Sequence, residues 1–444
     1  MMEDRVNPAT TDAEPPSQLG QARTDSPGSQ FDSVDREDAT ATGISSSDFI
    51  SGYANYADVL EAPRVLHEIV GIQVVAAALN RNGVTVPLGG VKYSLDLWAL
   101  LLSGSGAGRS TTIAMVAPIL EAAGMQDLES SVRWGSAGSF YQHFSECPSG
   151  LHFWGEMAEH LRMMNDPQFA TVKEWLTDRY DSFKIPPAFR YRATGKKTDT
   201  PPIVFDSVPR INILATSSND WFFRNLAEQD SAGGFLPRWL IMQASGNRRD
   251  VPIPEAPDAS LLAPMADRLK QLGQLMGPAD LSEILGPYQQ WYIETKRRFE
   301  AQSNPNLALA YFHRHRGHVL KLAVIFGASQ SGSLRVSPEA WKRAIEFAAQ
   351  VERCIFQLLP TGMSAVGFDV QRIEERIRKA GQSGITRNEL TRCFQSMAPR
   401  DRKESIQTLI DAGAVIERED LPTSSKGGRP KTVYFHAEFH QGQP

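Results

Sequence analysis

The feature that most constrains the fold of this chain is an apolar run that leads directly into a glycine-rich turn. The run is Leu95-Asp-Leu-Trp-Ala-Leu-Leu-Leu102, and after Ser103 it continues as Gly104-Ser-Gly-Ala-Gly-Arg-Ser-Thr-Thr112. A short run that is almost wholly apolar is typical of a central parallel strand. Glycines allow the backbone to turn tightly before a helix begins. The sequence therefore predicts a buried strand, a turn and a helix over residues 95–123.

Strand and helix patterns alternate along the following residues. The predicted strands are Leu95–Leu102, Ser131–Trp134, Leu151–Trp154, Ile203–Phe205, Ile211–Ala215 and Trp239–Gln243, and the predicted helices between them include Ser110–Ala123, Ser139–Glu146 and Glu156–Asn165. Such alternation is typical of a parallel sheet covered by helices. The predicted fold class is α/β, with a RecA-like P-loop domain over residues 91–257.

The glycine-rich turn has the layout of a phosphate-binding loop. The usual pattern is glycine, four residues, glycine, lysine, then serine or threonine. Ser103 takes the first glycine position, and Arg109 takes the lysine position. Arginine keeps the positive charge but is not a compact point donor. The residues predicted to bind the phosphates of ATP are Gly106, Ala107, Gly108, Arg109, Ser110 and Thr111, with the Ser110 hydroxyl on Mg²⁺. The alternative is a P-loop fold that has lost its nucleotide.

Two further strand ends carry candidate catalytic residues. Glu156 follows Leu151–Trp154, where it is predicted to activate the attacking water or to bind Mg²⁺ through water. Gly155 stands where a first acidic residue is usual, and the alternative for Glu156 is a helix-start residue. Asn219 follows the strand Ile211–Ala215 and is predicted to sense the terminal phosphate, with Thr216 and Ser217 as further candidates; a capped loop is the alternative.

An arginine follows a glycine turn in Gly233-Gly-Phe-Leu-Pro-Arg238. An arginine presented from a turn can reach the nucleotide of a neighbouring subunit as a finger. Arg238 is therefore a candidate finger, and a structural ion pair is the alternative.

Arg314, Arg316 and Lys321 share one predicted helix with three histidines whose spacing does not fit a helical zinc pair. A solvated basic face is expected there, with a surface facing DNA or another subunit as the alternative.

Composition divides the chain into unlike parts. The 444 residues carry a net charge of −5, so no overall basic character points to nucleic acid. Residues 1–47 are rich in small and acidic residues and are predicted to be a disordered tail. A helical lead-in is predicted over 48–90 and a helical region over 258–362. Three widely spaced cysteines indicate reduced thiols and a cytoplasmic location, and no apolar run reaches membrane-spanning length.

Residues 366–444 predict a separate winged-helix domain. Three helical segments are followed by two short strands that bracket a basic, glycine-rich loop. The third helix of such a unit enters the major groove of DNA, and a Gly-Arg-Pro wing can place its arginine in the minor groove. The predicted DNA-binding residues are Arg400, Arg402, Lys403, Lys426, Arg429 and Lys431. Because the unit is nearly charge-balanced, protein contacts are the alternative.

The chain resembles YfjI-like P-loop proteins of prophages, plasmids and other mobile elements, which are often described as primase-associated helicases. The resemblance covers residues 48–328 and includes Leu79-Asn-Arg-Asn-Gly, the loop at Ser103–Thr112, Trp154-Gly-Glu156 and the helix around Lys321. It implies a DNA-associated ATPase that acts in replication, as a homo-oligomer such as a hexameric ring, with a primase as a candidate partner. A non-hydrolysing DNA-binding scaffold, or the ATPase subunit of a defence or transposition system, is the alternative.

Overall fold

The computed structural model describes residues 48–104, 108–190, 201–243, 250–420 and 431–439. The predicted acidic tail lies outside these residues, as do Gly106, Ala107, Lys426 and Arg429. No helix of the described ranges is long and apolar enough to cross a membrane. Cys147, Cys354 and Cys393 form no disulfide with one another.

Helices and strands alternate along the first half of the described chain, and helices dominate the second half. The strands are β1 (Val86–Leu88), β2 (Val91–Tyr93), β3 (Trp98–Leu102), β4 (Ser149–Trp154), β5 (Arg210–Ser217), β6 (Trp239–Gln243), β7 (Ile385–Thr386), β8 (Val415–Asp420) and β9 (Lys431–His436). The helices are α1 (Phe49–Ala57), α2 (Arg64–Arg81), α3 (Arg109–Ala114), α4 (Ala117–Ala123), α5 (Ala137–Glu146), α6 (Met157–Met164), α7 (Ala170–Arg179), α8 (Asn219–Asn225), α9 (Glu228–Ala232), α10 (Leu262–Leu272), α11 (Leu285–Glu300), α12 (Pro305–Ser331), α13 (Pro338–Leu358), α14 (Ala365–Arg378), α15 (Arg387–Cys393) and α16 (Pro399–Asp411).

A parallel sheet forms the centre of the larger part of the chain. Its order in the described residues is β4-β5-β3-β6, with every neighbouring pair parallel. All five residues of β3 are buried, as expected of a strand covered on both faces. Helix α2 packs against β4 and β5, and α13 packs against β6. The α/β class predicted from the alternation is confirmed at this level.

The described residues between 365 and 439 contain three α-helices and a small antiparallel sheet of order β7-β9-β8. This part has its own hydrophobic cluster, which includes Ile373, Leu390, Leu409 and Tyr434. Thr386 and Glu389 form a capping box at the start of α15, since each side chain bonds the other residue's backbone amide. The predicted helices and strands of this region are all present.

Some of the predicted elements between residues 110 and 205 are wrong. Residues 131–134 form no strand, and Ile203 makes only an isolated antiparallel bridge with Phe189. The helix predicted over 110–123 is broken into α3 and α4. Pro118 near the start of α4 explains the break, because a proline ring clashes with the carbonyl four residues earlier and so ends the preceding helix.

A buried polar network lies at the amino edge of the sheet, where Asp96 precedes β3. The Asp96 carboxylate accepts hydrogen bonds from Asn80 Nδ2 (2.9 Å) and from the backbone amides of Ile211 (3.0 Å) and Asp181 (3.0 Å). Lys321 Nζ donates to the Asp96 backbone oxygen (2.6 Å) and pairs with Asp181 Oδ1 (2.8 Å). These contacts join α2, β5, the end of α7 and α12 at one point.

Lys321 is fully buried, so its predicted place on a solvated basic face is wrong. The reason is tertiary: α12 runs through the core, and the partners of Lys321 come from parts of the chain far from it in sequence. Burial raises the pKa of the Asp96 carboxyl, and the positive charges of Arg210 and Lys321 act against that rise. A buried carboxylate therefore depends on these cations.

Replacing Lys321 by methionine keeps an unbranched apolar side chain, shorter by one heavy atom, but removes the buried ammonium group. We expect Lys321→Met to lower the free energy of unfolding by about 3–5 kcal/mol, because the carboxylates of Asp96 and Asp181 lose their buried cation. The matched control is Lys342→Met, whose side chain is exposed and 4.0 Å from Glu346. The control should change stability by less than about 0.5 kcal/mol. Denaturant unfolding measures both, and equal losses would contradict the role given to Lys321.

Candidate functional site

Polar residues from three strands meet at the carboxyl edge of the parallel sheet. In the strand register, Leu102 of β3 lies beside Ser217 of β5, and Trp154 of β4 lies beside Ala215. The backbone amide of Ser103 donates to the Ser217 carbonyl oxygen at 3.1 Å. Ligands of open α/β sheets bind outside the carboxyl ends of the strands, so this edge is the expected place for a site.

The glycine-rich turn enters this edge after β3. Gly108 has φ +69° and is the N-cap of α3, which agrees with the need for glycine at this position. Arg109 begins α3, and its Nη1 atom is buried with no hydrogen-bond partner among the described residues. Ser110 and Thr111 are exposed at the start of the same helix. The first turn of α3 therefore presents an unsatisfied guanidinium nitrogen and two hydroxyl groups.

Sequence reasoning missed the residues that hold this turn against α1. Tyr53 Oη donates to the backbone oxygen of Thr112 at 2.5 Å, and Thr112 Oγ1 donates to the Gly108 carbonyl at 3.1 Å. Tyr53 is fully buried, and burial raises the pKa of its phenol. No local pattern could have pointed to Tyr53, because it lies far ahead of the turn in sequence and contacts it only in the fold.

Glu156 lies directly beside the end of β5, as its predicted role requires. Its Oε1 atom accepts a hydrogen bond from Ser217 Oγ and another, at 3.3 Å, from the backbone amide of Ala158. The second contact caps α6, so the helix-start alternative also describes this residue. Thr216 Oγ1 donates to the Gly155 carbonyl at 2.6 Å and ties β5 to the end of β4.

Asn219 is the first residue of α8, which Ser218 caps by accepting a hydrogen bond from the backbone amide of Trp221. The Oδ1 atom of Asn219 is buried without a partner in the described part of the chain. A polar acceptor in this state has unused bonding capacity, and burying it costs free energy. It is directed at no group that the described residues supply.

A cavity of about 780 Å³ opens between these strand ends and two later helices. Its strand-side wall consists of Ser103, Gly104, Ser218, Asn219, Asp220 and Gln243, and its other wall comes from the end of α13 and from α14. Among the described residues that line this cavity, Arg109 and Glu156 are absent. The cavity adjoins the turn and lies within the size range of small-molecule sites.

Arg238 does not reach this edge within one chain. It precedes β6, whose first residue, Trp239, pairs with Trp98, the first residue of β3. A five-residue strand spans about 16 Å, so Arg238 lies at the opposite edge of the sheet. Its Nη1 atom donates to the Gly234 carbonyl, and burial together with nearby Arg314 lowers its pKa to about 10. A finger acting on a neighbouring subunit stays a prediction.

The predicted DNA-binding residues of the C-terminal part have different surroundings. Arg400 and Lys403 are exposed near the start of α16, where Arg400 Nε donates to Glu404 Oε1 at 3.0 Å. Arg402 instead donates to the backbone oxygen of Phe394 at 3.0 Å, so it holds the chain before α16 in place. Lys431 is exposed at the start of β9.

The described residues contain no cluster of three or more histidine, cysteine, aspartate or glutamate side chains that could hold a metal ion. No protein-family model matches the chain, and no curated protein is matched by its sequence.

Gly108 can be tested independently of any ligand. An alanine at φ +69° should cost about 1 kcal/mol of folding free energy, because left-handed backbone is unfavourable for a residue with a Cβ atom. The added Cβ would also meet the Ala62 side chain at 3.4 Å. Gly155→Ala is the control, since a Cβ at Gly155 meets nothing within 4 Å and its φ is not left-handed. Equal unfolding free energies for the two variants would contradict this account.

Proposed function

We propose that this chain is a nucleotide-binding P-loop protein that acts on DNA, with a RecA-like domain and a C-terminal winged helix. The observation that carries the proposal is that β3 leads into the glycine-rich turn at the edge of the parallel sheet where Glu156 bonds Ser217 and where Asn219 lines a cavity. The resemblance to YfjI-like proteins of mobile elements supports the same assignment and suggests a role in DNA replication.

The residues of the turn fit a nucleotide phosphate. The unpartnered Arg109 Nη1 atom and the amides of the first turn of α3 supply donors for phosphate oxygens. Ser110 is exposed and would hold Mg²⁺ together with those oxygens. Asn219 Oδ1 accepts rather than donates, so it suits a water or a hydroxyl group, or a rotated amide that turns its Nδ2 toward phosphate.

Hydrolysis requires a group that polarises the attacking water, and Glu156 is the acidic residue that follows β4 at this edge. Its carboxylate already accepts from Ser217 and caps α6, and Gly155 adds no second acid. These features favour slow hydrolysis. They also support the second candidate function, a scaffold in which nucleotide binding joins subunits or changes DNA affinity without rapid turnover.

DNA contact is assigned to the winged helix. Arg400 and Lys403 are exposed on α16, the third helix of that unit, and Lys431 begins β9 beside the wing. Arg402 is less suited, because its guanidinium bonds the backbone. Assembly into a homo-oligomer such as a hexameric ring would bring Arg238 to a neighbouring subunit, and a primase remains the candidate partner.

Titration of a fluorescent ATP analogue with Mg²⁺ tests the binding assignment. We expect Arg109→Ala to weaken binding by about tenfold or more, because hydrogen bonds to phosphate from a charged donor are each worth about 1.5–3 kcal/mol. The control is Arg335→Ala, an exposed arginine paired with Glu283 far from the turn. Binding that is the same in wild type and Arg109→Ala would remove this residue from the site, and no binding by the wild type would overturn the proposal.

Phosphate release measured with and without DNA separates the two candidate functions. We expect slow hydrolysis that single- or double-stranded DNA stimulates, and we expect Glu156→Gln to reduce it by about 100-fold or more while the affinity for ATP is kept. Glutamine can still accept the bond from Ser217 and cap α6, so folding is spared. Undetectable hydrolysis by the wild type in the presence of both DNA forms, with ATP binding intact, would favour the scaffold.

A further inference from the structure

Helix α14, in the C-terminal part of the chain, closes the cavity opposite the strand ends. Phe368, Gln371, Arg372 and Glu375 of α14 line the same cavity as Ser103 and Gly104 of the sheet edge. The cavity at the carboxyl edge is thus formed jointly by the parallel sheet and by a helix of the winged-helix unit.

Helix α14 is held on α8, the helix that directly follows β5. Phe368 stacks on Phe223 with ring centroids 4.2 Å apart. Arg372 Nη1 donates to Asp220 Oδ1 at 2.6 Å, and its guanidinium lies 5.4 Å from the ring centroid of Phe368. Arg224 Nη2 also donates to the backbone oxygen of Ser396, at 3.2 Å.

Arg372 can exchange its ion pair with Asp220 for a contact with an anion. Side-chain exposure is 31% for Arg372 and 47% for Asp220, so water screens the pair and its contribution to stability is small. A guanidinium group can form two parallel hydrogen bonds with a phosphate, whereas Arg372 Nη1 makes one short contact, with Asp220, and lies 3.9 Å from Asp369 Oδ1. Asp220 and Glu375 add negative charge to the same cavity, so the anion that enters would need an accompanying cation such as Mg²⁺.

We propose that Arg372 breaks its ion pair with Asp220 and binds the terminal phosphate of the nucleotide. The inference rests on the proposed nucleotide site and extends it by a residue from the DNA-contacting unit. Arg372 then distinguishes a nucleoside triphosphate from a diphosphate, since the diphosphate lacks the group it binds. Because α14 belongs to the winged-helix unit, the presence of the terminal phosphate is communicated directly to that unit.

Dissociation constants of fluorescent ATP and ADP analogues, measured with Mg²⁺, test this inference in the full chain. We expect Arg372→Ala to weaken ATP binding by about tenfold and to change ADP binding by less than about twofold. Arg372→Lys should fall between wild type and Arg372→Ala, because lysine keeps the charge without the fork. Asp220→Asn should tighten ATP binding, because it removes the carboxylate that competes for Arg372.

The matched control is Arg378→Ala, which removes the ion pairs of another α14 arginine, with Glu374 at 2.8 Å and with Glu438 at 3.5 Å; Arg378 does not line the cavity. Arg378→Ala should leave both dissociation constants unchanged. If the pair with Asp220 only holds α14 in place, Arg372→Ala and Asp220→Asn will shift ATP affinity in the same direction, and the inference is overturned. An equal effect of Arg372→Ala on ATP and ADP, or no effect, also overturns it while the proposed function stands. If the wild type binds neither nucleotide, both the inference on Arg372 and the proposed function are overturned.

Discussion

The buried carboxylate of Asp96 is the interaction on which the rest of this structure depends. It stands at the start of the central strand β3 and takes hydrogen bonds from α2 and from β5. Lys321 of α12 adds the cation that the buried Asp96 carboxylate requires, and it bonds the Asp96 backbone oxygen and the partly buried Asp181 side chain. Asp181 has φ +61°, an unfavourable conformation for a residue other than glycine, and the contacts of its amide and carboxylate hold it there.

This network fixes the position of the amino end of β3. Because the strand is rigid, the position of its carboxyl end is fixed as well. With Ile211 bonded to Asp96, the register of β3 with β5 is set, and Leu102 lies beside Ser217. The glycine turn, Glu156 and Asn219 then leave the sheet at neighbouring points. The candidate site thus owes its geometry to polar contacts at the opposite edge, about 16 Å away along the strand.

Local sequence patterns predict a structural element correctly where the residues of that element alone determine its conformation. Trp239–Gln243 was predicted as a strand and is β6 with the same bounds, because a short apolar run bounded by turns suits a buried strand. The tight turn that the loop spacing predicts at Gly108 agrees with its left-handed φ of +69°, while its binding of phosphate stays a prediction. The meeting of Glu156 with the end of β5 also follows from a general property of parallel sheets, whose carboxyl ends share one edge.

Contacts between distant parts of the chain could not be predicted in this way. Lys321 and Asp96 are 225 residues apart, and the charge of Lys321 alone indicated a solvated face. Arg372 and Asp220 are 152 residues apart, and neither stands in a motif. Pro118 does indicate the break between α3 and α4, but the helix predicted over 110–123 continues across this proline.

Hydrogen exchange with and without Mg²⁺ and ATP tests whether the carboxyl edge of the sheet is a nucleotide site. We expect slower exchange in peptides that contain residues 104–112, 155–158 and 217–221, with unchanged exchange around Asp96 and Asp181 at the other edge. Unchanged exchange throughout, or protection that is confined to segments away from these strand ends, would contradict it.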